Sequence, residues 1–270
     1  MNIPNNYTET NKDAWNKRTT VHIGSSFYDV PGFMAGKSSL NKTELALLGD
    51  VKGKTILHLQ CHFGMDSLSL ARMGAKVTGI DLSDKSIDKA RSMNDELGLD
   101  ATFICGDVYN LPQVLQGQFD IVFTSYGVIG WLPDLQKWGK IIDHFLKPGG
   151  QFILAEFHPV VWMFDNAFTK IQYSYFNKEA IIDDTTGTYT DRNAPISYQE
   201  ISWNHSLDEV FNGLLQNNMM ITGFREYDFS HYNCFAGMEK AEDGVYRFTD
   251  MDTLIPVMYS VTAVKTNNPV

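Results

Sequence analysis

From Thr55 onward, short apolar runs alternate with segments whose apolar residues recur at helical spacing, the order of a parallel sheet covered by helices on both faces. TILHLQ reads as a first buried strand, and DSLSLARMG as a helix closed by Gly74. AKVTGID is a second strand. Ser83 is placed to cap the helix DKSIDKARSMNDEL, where Ile87, Ala90 and Leu97 share a face and Gly98 supplies the stop. ATFIC and FDIVFTS are the third and fourth strands. Leu135, Trp138, Ile142 and Phe145 then mark a helix that LKPGG ends, and QFILAEF is the fifth strand. A capping box, Ser206 with Glu209, opens a helix carrying Val210, Phe211, Leu214 and Leu215 on one face. ITGFREYDF and LIPVMYSVTAV are two late strands. The pattern predicts a doubly wound α/β fold with a mostly parallel, seven-stranded sheet.

Two stretches interrupt this alternation. Residues 1–50 form a polar, aromatic-containing lead-in with a short helix ending near Gly49, a cap placed to lie across the ligand edge of the sheet. Residues 51–156 then make the core. Residues 157–204, rich in Tyr, Phe, Asp and Thr, are too long for an ordinary connection, and such insertions commonly serve as lids or binding elements. Residues 205–270 return to the core with its last helix and two strands.

Composition narrows the function classes. The 270 residues, 43% hydrophobic, suffice for one substantial core. A formal net charge of −10 opposes broad binding to a nucleic-acid backbone, which needs a clustered basic surface. The polar N-terminus lacks the apolar stretch of a secretory signal and no run is long enough to span a bilayer, so a cytoplasmic protein without a membrane partner is expected. Cys61, Cys105 and Cys234 lie far apart, arguing against a disulfide framework or a metal site and for buried, reduced thiols.

Open parallel sheets bind ligands outside the carboxyl ends of their strands, so the residues following each strand are the candidates. The first strand runs into Gln60-Cys61-His62-Phe63-Gly64, where Gly64 permits close backbone approach. The second ends in Asp81, followed by Leu82, and a carboxylate there suits both hydroxyls of a ribose. Gly106-Asp107-Val108 follows the third strand and suits an adenine, with the carboxylate accepting from the exocyclic amine. Ser125-Tyr126-Gly127 follows the fourth, beside the place for a reacting group. Each aspartate alone reads better as a turn former. Their joint placement after successive strands favours ligand contact.

With these residues in order, the chain resembles the class I S-adenosylmethionine-dependent methyltransferases over residues 50–156. ILHLQCHFG matches their first motif, approximately [DE]-x-G-x-G-x-G. GIDLS matches the ribose motif, GDV the adenine motif, FDIVFTSYG the fourth strand and LKPGG the turn before the fifth. LHLQCHFGMDSLSLARMGA, with WNHSLDEV, further resembles a bacterial subgroup of uncharacterised methyltransferases. The resemblance implies a Rossmann-like fold, S-adenosylmethionine as cofactor and methyl transfer to an acceptor that no motif identifies, with a small molecule the expected class over a lipid precursor or a protein side chain. It departs from the family at His58, which replaces the acidic residue, and at Gln60 and His62, which replace the first two glycines. The partner of the methionine amino group is therefore in question. Asp66 is either that partner or a charge favouring its helix N-terminus. His58, within an apolar strand, reads as a core histidine, and Cys61 as structural.

The sulfonium already activates the methyl, so the protein must chiefly align an acceptor and exclude water. If a proton must leave the acceptor, His158, just beyond the fifth strand, and Tyr126 are the candidate bases, with His205 and His22 behind them. Tyr126, Trp131, Trp162, Tyr173, Tyr175 and Trp203, with His158, are candidates for an acceptor wall, against ordinary packing. Two rivals remain. A nicotinamide-dependent oxidoreductase shares the acidic residue after the second strand but needs glycines where His62 and Phe63 stand, and Asp66 would oppose its pyrophosphate. A non-catalytic cofactor-binding protein would retain the fold with an altered first motif.

Overall fold

The computed structural model describes residues 3–266. Three helices come first: α1 (Tyr7–His22), α2 (Val30–Met34) and α3 (Lys42–Leu48). The alternating core follows as β1 (Thr55–Leu59), α4 (Met65–Arg72), β2 (Lys76–Asp81), α5 (Asp84–Glu96), β3 (Thr102–Cys105), β4 (Phe119–Ser125), α6 (Leu135–Phe145) and β5 (Leu146–Phe157). A hairpin of β6 (Ile181–Thr186) and β7 (Ser197–Ser202) precedes α7 (Leu207–Leu215) and β8 (Met219–Tyr227). A second small hairpin, β9 (Met238–Lys240) with β10 (Tyr246–Phe248), precedes the last strand, β11 (Met258–Lys265).

The main sheet has seven strands in the order β3-β2-β1-β4-β5-β11-β8. β3 through β5 pair in parallel, and β11 runs antiparallel between β5 and β8. Alternation along each strand sends neighbours to opposite faces. Leu57, Val122, Phe152 and Leu154 pack against Trp138, Ile142, Phe145 and Leu214 of α6 and α7. Ile56, Val77, Phe123 and Ile153 meet Leu48 and Leu70 of α3 and α4 on the other side. A fully buried side chain of this kind contributes about 1.5–3 kcal/mol, so α6, which buries Leu135, Trp138, Ile141, Ile142 and Phe145, is held by packing.

The caps at Ser83 and at Ser206 with Glu209 form as expected. LKPGG does not lie between helix and strand: β5 begins at Leu146, and the register shifts near Phe119 and Ile121 to accommodate the Pro148–Gly150 irregularity. The N-terminal region is more helical than its pattern suggests. α1 has almost no amphipathic character and is held instead by polar contacts with β7 and α5. Among the described residues no helix is long and apolar enough to cross a membrane.

Candidate functional site

The sheet's topological switch lies between β1 and β4, where the chain leaves in opposite directions. The β1–α4 turn there is unusual. Gln60 and His62 have φ of 54° and 51°, and Gly64 has 79°, three alternate residues in the left-handed region that favours glycine. The glycine-rich backbone is thus preserved although two glycines are gone. At Gly64 no substitute fits, because a Cβ would lie 2.7 Å from Phe103 and 2.8 Å from Ala90. The turn is pinned by Cys61 N donating to Ile80 O (2.9 Å), His62 N to Asp81 Oδ2 (2.8 Å) and Gln60 Nε2 to Val128 O (2.8 Å).

Asp81 is half-buried rather than solvent-facing, and burial lifts its carboxyl to about 6 despite backbone N–H donors. Its Oδ1 accepts from Ser83 N (2.9 Å) and its Oδ2 from His62 N, leaving a second lone pair on each oxygen. Leu82 is half-buried beside it. Gly106 N donates to Asp81 O (2.9 Å), placing Asp107 next in line, where its Oδ1 accepts from Tyr109 N (2.9 Å). Val108 is buried beneath. Burial also raises the Asp107 carboxyl.

Beyond β1, His58 is 1% exposed, with Nδ1 2.9 Å from Ser67 Oγ and Nε2 3.4 Å from Ser125 Oγ. Burial lowers it to about 3, so it is a neutral core histidine. Asp66 Oδ1 accepts from Ser39 Oγ (2.6 Å) and Oδ2 from Ser125 Oγ (3.4 Å). Burial and then Glu44 raise Asp66 to about 6. Tyr126 OH donates to Glu44 Oε2 (2.9 Å), and burial holds the Tyr126 phenol well above its usual range. Glu44, in the capping box of α3, is itself raised by burial.

α1 and β7 roof this edge. Asn11 exchanges two hydrogen bonds with Ile201, Arg18 pairs with Glu200 and Tyr198, and His22 Nε2 lies 2.7 Å from Thr188 Oγ1. On the other flank α1 meets α5 through Asn16, which accepts from Ser83 Oγ (2.6 Å) and donates to Asp84. Trp15 sits edge-on to His62 and Trp131, whose Nε1 donates to Gly127 O (2.7 Å), and Trp203 is edge-on to Tyr7. Burial drives His22 to about 2 and His62 to about 3.

The other candidates lie elsewhere. His158 faces the edge strand: its Nδ1 accepts from Val160 N, and Nε2 lies 3.0 Å from Glu226. His205 contacts Leu132 O and Glu209. Trp162 packs with Phe157 and Phe235 while its carbonyl accepts from Asn204 Nδ2 (2.9 Å), and Tyr175 OH accepts from Leu207 N. Of the cysteines only Cys61 is buried; Cys105 is exposed and Cys234 half-buried. Sequence reasoning missed Glu156, whose buried carboxylate accepts from the N–H groups of Gly127, Val128, Ile129 and Phe157 and so shapes the loop after β4. It also missed Glu44, Trp15 and Arg18. An acid at the end of an otherwise apolar strand was the one available signal for Glu156.

Residues 56–150 match the methyltransferase-domain family. The chain is 34% identical over 105 residues to a ubiquinone biosynthesis O-methyltransferase of Coxiella burnetii, spanning 39% of this chain and 44% of that protein. The chain therefore spans less than half of that curated relative. A methyltransferase dependent on S-adenosylmethionine from Methanosarcina mazei superposes with a TM-score of 0.57 at 19% identity, over 85% of this chain and 99% of that one. Magnesium protoporphyrin IX methyltransferase from Synechocystis, solved with bound SAH, superposes at 0.51 and 17% identity over 96% and 99% of the two chains. These structural likenesses establish the Rossmann-like methyltransferase fold.

Proposed function

We propose that the protein is an S-adenosylmethionine-dependent methyltransferase acting on a small-molecule acceptor. The observation that carries this is Asp81, a carboxylate at the end of β2 with one lone pair on each oxygen left for a ribose, set against a left-handed Gln60–Gly64 turn. The donor set fits the cofactor. Asp81 and Leu82 would hold the ribose, and Gly106, Asp107 and Val108 the adenine. Gln60, His62, Asp66 and Ser125 would surround the amino-acid end, where Asp66 supplies negative charge. Bound there, the cofactor supplies an electrophilic methyl. NAD fits poorly, because the His62 and Phe63 side chains occupy the turn and Asp66 opposes a pyrophosphate at the start of α4.

The acceptor would lie under the roof formed by α1 and by the lid of residues 157–204, beside Tyr126, Trp131 and Trp203. Proton removal falls to Tyr126 with Glu44: the phenol oxygen takes the acceptor's proton as its own passes to the carboxylate. His158 is a weaker base, since its Nδ1 already accepts a hydrogen bond and its Nε2 faces Glu226. The LHLQCHFG motif would mark a subgroup sharing this arrangement. Incubation with S-adenosylmethionine, followed by mass spectrometry, tests turnover. S-Adenosylhomocysteine should accumulate slowly with wild type and faster with a suitable acceptor. Tight binding with no product across diverse acceptors would instead make this a non-catalytic binding protein.

A further inference from the structure

Beside Tyr126, segments far apart in the chain bring phenols and carboxylates together. The Tyr126 hydroxyl donates to Glu44 Oε2 (2.9 Å), and Asn41 Nδ2 donates both to Glu44 Oε1 (3.0 Å) and to the Tyr232 hydroxyl (2.8 Å). The Tyr126 and Tyr232 rings meet edge-on with centroids 5.2 Å apart, and Phe27 stacks on Tyr232 at 5.5 Å. Tyr28 and Tyr189 add two further phenols, joined hydroxyl to hydroxyl at 2.5 Å. Glu44 is fully buried, whereas Asp66, Tyr126 and Tyr232 each keep accessible surface, so the rings and Asp66 are what a guest would touch.

The charge in this cluster is one-sided. After burial, Glu44 is what raises the Asp66 carboxyl, and beyond burial both carboxylates hold the Tyr126 and Tyr232 phenols up. Among the described residues no Lys or Arg answers either carboxylate. Buried carboxylates without a counter-ion are costly, and the faces of aromatic rings attract positive charge, so both kinds of wall favour a cation. Resting on the methyltransferase reading above, we propose that the methyl acceptor is a primary or secondary amine, held as its ammonium beside Tyr126 and Tyr232 with Glu44 as the counter-charge. Before its nitrogen can attack, the ammonium gives a proton through the Tyr126 hydroxyl to Glu44. The freed lone pair forms the new N–C bond as the S–CH3 bond breaks, whose electron pair stays on sulfur as a neutral thioether. The product leaves as the N-methylammonium ion, and Glu44 returns its one proton to solvent.

The test is calorimetry on protein saturated with S-adenosylhomocysteine, whose own ammonium is then in place and cannot account for any further preference. The probes are phenethylamine and its matched alcohol, phenethyl alcohol, at neutral pH, followed by turnover with S-adenosylmethionine read by mass spectrometry. The amine should bind at least about 10-fold more tightly than the alcohol and be methylated on nitrogen. Glu44→Gln keeps the shape and the bond to Tyr126 but removes the charge, so it should weaken the amine about 10-fold and shift the alcohol by less than about twofold. Tyr232→Leu leaves both carboxylates and removes a ring, and should weaken the amine about 3-fold to 10-fold. Equal binding of amine and alcohol, or binding of neither, by protein that still binds S-adenosylhomocysteine would overturn the proposal and leave the methyltransferase reading standing. Methylation of the alcohol oxygen with none of the amine nitrogen would overturn it too. Wild-type protein that bound no S-adenosylhomocysteine would refute that reading, and the proposal with it.

Discussion

Asp66 is held between opposing demands. Ser39 and Ser125 donate to it, yet burial and the neighbouring Glu44 carboxylate raise it from 3.8 to about 6. A folded-state pKa above the unfolded value means the native protein binds an extra proton between those pH values. The stabilisation is complete below pH 3.8 and is lost as pH rises through about 6. Asp66→Asn never carries the charge, so it should melt several degrees above wild type at pH 7, with the advantage disappearing toward pH 3.5. Its affinity for S-adenosylhomocysteine should fall at the same time. Thermal melts across pH beside calorimetry check both, and a variant neither stabilised nor impaired would make Asp66 a mere helix-start charge. At this scale the strand-end residues Gly64, Asp81 and Asp107 were legible because they follow apolar runs directly. Glu44 and Glu156 were not, because a carboxylate that caps a helix or gathers backbone N–H groups looks locally like any other acid.

α1 lies on the exposed edge of β7 through the reciprocal Asn11–Ile201 pair and Arg18, and on α5 through Asn16, which bonds Ser83 two residues after Asp81. The hairpin and the first helix therefore act together over the proposed cofactor edge, so removing residues 157–204 should not leave cofactor binding wholly unchanged. Asn11→Ala leaves Ile201 N–H and C=O without partners in a buried place, a loss of about 1–3 kcal/mol. Hydrogen exchange should show the amides of α1 and β7 losing protection together while those of β1 and β4 keep theirs, and independent behaviour of α1 and β7 would contradict the coupling. The core strands and helices were readable because burial imposes a period on them. α1 was not, since its polar contacts with distant segments leave no period in the sequence. The β6–β7 and β9–β10 hairpins were equally hidden, one inside a stretch read only as an insertion.

At the scale of the whole molecule, we propose that the seven-stranded sheet presents an adenosine-binding edge for a sulfonium cofactor and not for a dinucleotide. The order β3-β2-β1-β4-β5-β11-β8 sets Asp107, Asp81 and Gln60 along successive strand ends, while the unglycinated turn and Asp66 disfavour a pyrophosphate. Net charge and composition narrowed the classes of partner, but the acceptor left no motif, because aromatic walls and packing draw on the same residues. The most direct measurement is titration calorimetry of S-adenosylhomocysteine and NAD against wild type and Asp81→Ala. Wild type should bind S-adenosylhomocysteine saturably and give no response to NAD. Two hydrogen bonds to a charged acceptor are worth about 2–4 kcal/mol after allowing for non-additivity, so Asp81→Ala should lose about 30-fold to 1000-fold in affinity. Asp81→Asn should fall between the two. Because Asp81 also secures His62 N and Ser83 N, the alanine variant should melt somewhat below wild type while remaining folded at the temperature of the titration. Saturable NAD binding with no response to S-adenosylhomocysteine, or an Asp81→Ala protein that binds within about twofold of wild type, would contradict the account.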